Sequence, residues 1–395
     1  MVLKVALEVV VVVTKQAQFL FTLCLFLLST VCNAAVLPAD RSDALFHSYS
    51  GGGIDISGPA ILVRKSIGDS VSLSAKHYVD TISSASIDVE VILLGASRYE
   101  EERVEQTFAI DYLNDKTLMS LGYTNSEEND FIANTISFGM SQDFFGDLTT
   151  LSMGYSHGDN TIGKTNFPSF AETSQSDNFN VSLAQVITKN FIMSGAFDVT
   201  TDAGFLNNPY RKVRYKDSLT TFDLEDEVYP KTRTSNAIAI RGRYFLPYRA
   251  ALHAEVRTFT DSWGIRGNNF EIGYTHPFAN NWIIEGHFRS YAQTKASFYS
   301  DLFPFSKAQN FLARDKELST FNNNTIGFGI SYEFLNNSES EDAFFDKASV
   351  NFKFDHIRFN YLDFRDARQT SFNAGEEPLY KLNANVIQLF VSAWF

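Results

Sequence analysis

Repeated alternation of apolar and polar residues, a succession of short turns and long polar connections, and a last alternating strand ending in Phe395 predict an all-β fold. The expected form is a transmembrane antiparallel β-barrel of about sixteen strands, with fourteen as the lower count.

The alternation is the primary signal. Residues 135–141 put Ile136, Phe138 and Met140 on one face and Thr135, Ser137, Gly139 and Ser141 on the other. Residues 117–124, 150–156 and 325–333 follow the same rule. The polar face is built mostly from Gly, Ser and Thr, with charges in places. A soluble sandwich would have to cover its apolar face with helices or a second sheet. The chain offers no capped amphipathic helix to do so. Lipid supplies that cover, so apolar residues are read outward and polar ones inward.

The connections alternate in length. Short turns fall at 68–69, 114–115, 145–147, 188–190, 246–248 and 278–281. Long or polar segments fall at 80–103, 126–130, 158–175, 201–233, 261–267, 293–319 and 363–379. Short periplasmic turns and long external loops are the expected assignment. Residues 44–50, before Gly51-Gly52-Gly53, read as a short first strand, and the glycines as a flexible turn. The strand at 346–362 carries Phe352 and Phe354, then Phe359 and Tyr361, which predicts a change of face and a bulge near His356. In the last strand Ile387, Leu389, Val391, Ala393 and Phe395 alternate, a pattern expected to be read by the outer-membrane assembly machinery. Pairing of that strand with the first would remove both edges.

Composition agrees. The 395 residues are 44% hydrophobic and 20% charged, which excludes a disordered chain and a helical membrane protein. The 37 Phe and 17 Tyr suit lipid-facing strands with aromatic girdles. A net charge of −13, with no basic run, argues against nucleic acid as a partner.

Residues 19–28 form an apolar core after Lys15, followed by small residues up to Ala34. This reads as a secretory signal over 1–34, with the barrel over 35–395. A second apolar run, Val9 to Val13, makes the leader long and suggests a translation start near Val13. Val31 before Cys32 is a poor lipidation context. Cys24 and Cys32 both lie in the leader, so the mature chain has no cysteine for a disulfide, a thiolate or a metal site. Loss of Lys4, Lys15 and Glu8 brings the mature charge to −14.

Several segments carry a family resemblance. They are Gly51-Gly52-Gly53, Gly58-Pro59 with Leu62-Val63-Arg64-Lys65, Tyr78-Val79-Asp80, and Ser83-Ser84-Ala85-Ser86-Ile87-Asp88-Val89. Tyr99-Glu100-Glu101-Glu102-Arg103, Leu118-Met119-Ser120 and Tyr123-Thr124-Asn125-Ser126-Glu127-Glu128-Asn129-Asp130 continue it. The region 48–157 resembles a family of bacterial outer-membrane proteins catalogued as a domain of unknown function, and the likeness extends more loosely along the mature chain. The chain departs from the family pattern between Val89 and Tyr99, where it is more apolar. The resemblance implies a barrel and no established activity.

The candidate chemistry is inward or in loops. Alternation puts Arg241, Arg243, His253, Glu255, Arg257, Glu271, Glu285, His287 and Arg289 on the lumen side. They would be either a selectivity lining or a self-neutralising network. His253 with Glu255, or His287 with Glu285, would be an acid–base pair. Acidic groups gather at Asp80, Asp88 and Glu100–Glu102, at Glu127–Asp130, and at Asp223–Glu227. They would coordinate a divalent cation, bridge lipopolysaccharide phosphates through one, or stay solvated. The loop 201–233 is long enough to fold inward. His77 lies on an outward stripe with no serine in register. No phosphate loop, GxSxG or metalloprotease spacing occurs, so neither a cofactor nor an enzymatic activity is expected.

Three functions follow. The first is porin-like passage of small solutes through a charged lumen. The second is a closed barrel serving as scaffold or receptor for a periplasmic or surface partner. The third is a membrane-embedded hydrolase. Partners expected from the architecture are outer-membrane lipid, lipopolysaccharide and the assembly machinery. Intact-mass measurement of the membrane-extracted protein should give a chain beginning at Ala35; a mass that retains residues 1–34 overturns the cleavage assignment.

Overall fold

In hydrocarbon every backbone N–H and C=O needs a partner within the protein, and a closed antiparallel sheet provides it. The computed structural model describes residues 36–83, 100–279, 281–336 and 345–395. Its strands are β1 (Arg41–Gly51), β2 (Ile54–Ile67), β3 (Val71–Ser83), β4 (Glu100–Asn114), β5 (Thr117–Glu127) and β6 (Phe131–Phe144). There follow β7 (Thr149–Ile162), β8 (Glu172–Thr188), β9 (Phe191–Gly204), β10 (Lys212–Lys216), β11 (Phe222–Asp226) and β12 (Thr232–Phe245). The chain ends with β13 (Ala251–Asp261), β14 (Arg266–Phe278), β15 (Trp282–Gln293), β16 (Phe321–Asn336), β17 (Lys347–Arg365) and β18 (Leu379–Trp394). Sixteen of these close into one antiparallel barrel, and β10 with β11 forms a separate hairpin. The expected fold class and strand number both stand. The only helical element among the described residues is a 3-10 turn, Lys316–Leu318.

Closure is made by β18 lying between β17 and β1, with Arg41 opposite Trp394 and Gly51 opposite Ala384. The termini and short turns share one end, taken as periplasmic. The long connections share the other. The turn at 145–147 holds Phe145 and Gly146 at φ 54° and 65°, the left-handed conformation a tight reversal demands. The first external connection is tight: Gly52 and Gly53, at φ 65° and 84°, join β1 to β2 directly.

The outward face meets lipid. Ile238, Val256, Phe270, Ile326 and Phe328 are 44–65% exposed. A soluble protein does not leave so much contiguous apolar area in water. Tyr112, Phe144, Tyr244, Phe278, Trp282 and Tyr332 are exposed near the periplasmic strand ends, where an aromatic girdle sits. Outward Tyr123 and Tyr155, toward the other rim, donate to Asn134 (2.8 Å) and Asp177 (2.7 Å).

The strands run further than the alternation indicates. β1 starts at Arg41, and β7 and β8 leave only residues 163–171 between them. Asp80 was expected in a loop; it lies in β3, 5% exposed. Glu100, Glu101 and Glu102 likewise open β4. Asp88 and most of the Ser83–Val89 segment lie outside the described residues. The bulge expected near His356 is not there. The β16–β17 register runs unbroken through Ile326–His356, and its only shift is between Phe334 and Asn336. Phe352 and Phe354 face lipid while Phe359 and Tyr361 face the lumen, because an apolar core sits above them.

That core belongs to a cap. The connections 205–231, 294–320 and 366–378 fold together over the external ends of β12–β18. Trp263, Phe298, Tyr299 and Leu318 pack on lumen-facing Phe321, Tyr361, Tyr380 and Leu382. The β10–β11 hairpin is stitched to the 294–320 connection by Lys216 N–H to Phe303 O (2.9 Å) and Leu312 N–H to Val228 O (2.8 Å). Its centre is Arg214, fully buried, which donates to Asp301 Oδ2 (2.5 Å) and Asp301 O (2.8 Å) and to both Glu377 oxygens (2.5 and 3.2 Å). Arg314 stacks on Phe364 at 4.5 Å and donates to Arg365 O (2.9 Å). The Asp223–Glu227 stretch is therefore structural. Glu225 accepts from Ser306 Oγ (2.8 Å) and Lys307 N–H (2.9 Å), and Glu227 from Arg314 N–H (2.7 Å).

Arg214→Ala removes the ion-pair partner of the Glu377 carboxylate in that core while Asp301 keeps Arg314, a loss of about 3–5 kcal/mol. The variant should keep the heat-modifiable gel migration of a folded barrel and become cleavable by protease within 205–231. Cleavage no faster than in the parent protein would show that Arg214 does not hold the cap.

Candidate functional site

The lumen wall has two unlike halves. On β5–β8 the inward residues are small: Ser120, Gly122, Ser137, Gly139, Ser152 and Gly154 among them. On β12–β17 they are long and charged. Arg241, Arg243, His253, Glu255, Arg257, Glu271, Glu285, His287 and Arg289 all stand opposite the lipid-facing residues of their strands.

Their partners lie across strands. Arg241 Nε donates to Glu255, and Asn269 Nδ2 donates to the other Glu255 oxygen at 3.4 Å. Arg289 Nε donates to Asn269 at 2.6 Å. His253 meets Glu271 at 3.5 Å, so the expected His253–Glu255 pair does not form. His287 meets Asp355 at 3.2 Å and Glu285 meets Lys353 at 2.7 Å, so the His287–Glu285 pair does not form either. The reason is geometric: residues two apart point the same way but reach sideways to the facing strand. Gly273 and Gly327 make the reach possible. A β-carbon at Gly273 would overlap the His253 ring, and one at Gly327 the His287 ring and Asp355 carboxylate. Asn269, Lys353 and Asp355 were missed by sequence reasoning. The last two alternate with outward Phe352 and Phe354, below the point where the face change was expected.

A second cluster lies higher, on β1, β3 and β4. His47 Nε2 contacts Asp80 Oδ1 (2.6 Å) and Tyr78 Oη (3.1 Å), and its ring stacks on Tyr78 at 4.9 Å. Arg103 contacts the other Asp80 oxygen at 2.8 Å. Gly58, opposite His47, has the Val79 carbonyl where a β-carbon would stand, and Pro59 has no N–H to pair. Glu101, Glu128 and Asp130 bring oxygens within 4.8 Å of one another, the spacing a hard cation needs. From the cap, Tyr210 Oη donates to Asp130. His47 carried no sequence signal, because a lone inward histidine looks like any other polar lumen residue.

The outer wall holds His77, exposed among apolar neighbours, and a further histidine not singled out from sequence. His157 contacts Asp177 (2.8 Å) and Asp159 (3.4 Å) on the lipid side of β7 and β8. No hydroxyl nucleophile is hydrogen-bonded to either histidine among the described residues. Phe395 stands at the periplasmic rim, with the Lys65 ammonium 4.9 Å from its ring centre.

A family model described as protein of unknown function (DUF3570) matches residues 95–345, more than half of the chain. The chain belongs to that family. No curated protein matches it. Among solved structures it is similar to a bacterial polysaccharide outer-membrane secretin, at 7% identity and TM-score 0.47, covering 91% of this chain and 99% of that one. It is similar to OmpT of Vibrio cholerae in its trimer form, at 10% identity and TM-score 0.44, covering 91% and 99%. A FadL homologue of Pseudomonas aeruginosa gives 10% identity and TM-score 0.43, covering 90% of each chain.

Burial pushes the Glu128 carboxyl above its ordinary value of 4.5; Arg103 opposes this, and Asp130 and Asp80 add to it. A raised folded-state pKa means that ionisation costs stability as pH climbs through that range. Glu128→Gln should therefore slow hydrogen exchange of residues 126–131 at pH 7, and the advantage should vanish below about pH 4. An unchanged exchange rate at pH 7 would show that the carboxylate is not strained.

Proposed function

We propose that the barrel passes small hydrophilic solutes across the outer membrane, with the charged half of its wall setting a weak preference among them. The observation that carries this is the room left inside. Arg241 and Lys353 point inward yet have side chains 55% and 43% exposed, facing a wall of Gly, Ser and Thr. Side chains that small do not fill the interior of a sixteen-stranded barrel, which in this size class holds water. The wall carries Arg241, Arg243, Arg257, Arg289 and Lys353 against Glu255, Glu271, Glu285 and Asp355, so its signs nearly cancel. Strong selection at mid-lumen is not expected from it. In this reading the chain is exported by its leader, inserted by machinery that reads the strand ending at Phe395, and surrounded by lipid and lipopolysaccharide. Divalent cations at Glu101, Glu128 and Asp130 belong to the same reading.

The cap favours a second reading, a closed scaffold or receptor. A mouth covered by a folded layer with its own buried core also suits a surface that binds a partner.

Single-channel recording on the refolded mature protein separates the two. Discrete current steps are expected. Arg257→Glu with Arg289→Glu should move the reversal potential toward cation preference, by a several-fold change in permeability ratio. A folded but silent protein would favour the receptor.

A further inference from the structure

A cavity of about 620 Å³ lies where the cap meets the external ends of β6–β9. That size suits a small ligand; binding pockets run from about 300 to 1,000 Å³. Its walls come from separate parts of the fold. Phe205–Tyr210 and the turn Asp315–Leu318 belong to the cap, while Asn160, Ser174 and Asp202 belong to the barrel.

Its charge is one-sided. Glu128, Asp130, Asp202, Asp315 and Glu317 line it, against a single cationic lining residue, Arg233. Arg233 is already engaged: Nε and Nη2 donate to Asp261 at 2.9 and 2.8 Å, and its guanidinium stacks on Trp263 at 4.6 Å. Asp315 is met from the cap by Arg211. The remaining carboxylates come from three different elements and converge on one space.

Aromatic rings complete it. Tyr210, Tyr229 and Trp263 line the same cavity, with Tyr229 and Trp263 packed edge to face at 5.5 Å. Carboxylates converging on a partly enclosed space are the chemistry that holds an organic cation, through charge-assisted hydrogen bonds, and the rings here already take cations on their faces, Arg233 over Trp263 and Lys164 over Tyr210. Inorganic anions are repelled there. A solvated acidic patch would need neither the enclosure nor the rings.

We infer that this cavity binds small organic cations bearing primary ammonium groups, and that it selects solutes before they reach the lumen. The selecting role rests on the passage reading given above; binding does not.

Spermidine is the probe. Trp263 lines the cavity, while Trp282 and Trp394 lie at the periplasmic ends of β15 and β18. Titration of the refolded mature protein should give a saturable change in tryptophan fluorescence that Trp263→Phe removes. Glu128→Gln with Glu317→Gln should weaken it about a hundredfold or more, because two charge-assisted hydrogen bonds to the ligand are lost. Asp159→Asn, on the outer wall, should leave it unchanged. Heat-modifiable migration shows that each variant is folded. No saturable change, equal affinity in the double variant, or a response to calcium but not to spermidine each overturns the proposal. Recording in parallel separates it from the passage reading. A protein that binds spermidine and never conducts keeps the site and loses passage. One that conducts and does not bind keeps passage and loses the site.

Discussion

The pairing of β18 with β1 is the constraint on which the rest depends. A membrane offers no water to satisfy an open sheet edge, so a strand left unpaired would carry its backbone polar groups bare into lipid. With Arg41 opposite Trp394 and Gly51 opposite Ala384, the edge disappears. The demand then passes to the faces. Each strand must present apolar residues outward, and period-2 geometry turns every intervening residue inward. Polarity of the lumen follows from closure and alternation together. So does its width, because the strand count sets the diameter.

A barrel this wide cannot be filled from its own wall, and the external connections respond to that. They build a second, water-soluble style of core over half the mouth, with Phe298, Tyr299 and Phe364 buried against lumen-facing Tyr361 and Tyr380. A small core over a wide opening has little apolar area to rely on. It is fixed instead by a buried ion network in which Arg214 satisfies Asp301 and Glu377 at once. Such networks add little net stability compared with apolar packing, and they are costly to break. They suit a layer that must keep one arrangement.

What the sequence disclosed follows from the same physics. Lipid imposes period 2 so strictly that the strands, and the alternation of short and long connections between them, could be read directly. Neighbours could not. Alternation gives a residue's face and not its register, so His253 was matched to Glu255 on its own strand rather than to Glu271 across the sheet. Where a second core replaced water, the rule inverted. Phe359 and Tyr361 are apolar and inward, which read as a bulge near His356. The cap itself was legible only as length. Its hairpin strands, Lys212–Lys216 and Phe222–Asp226, are short and polar; they pair with each other and are anchored to residues far along the chain, such as Tyr215 to Phe303.

The middle of the barrel and its external rim differ in electrostatic character for a structural reason. Mid-barrel, Arg241 faces Glu255 and Arg289 faces Glu271 across hydrogen-bonded strands, where leaving a charge unpaired would be costly, so the wall tends to neutrality. At the external rim the strands end, and residues from cap, loops and wall meet without a ladder to pair them. Net charge accumulates there: Glu128, Asp130, Asp202 and Glu317 share one cavity. Under the proposed passage, a field at the mouth acts on solutes before the lumen can, and low-dielectric walls concentrate it. Selection by charge is therefore better placed in the space beneath the cap than in the arginines and glutamates of the wall. The nearly balanced wall charges then keep only the weaker preference.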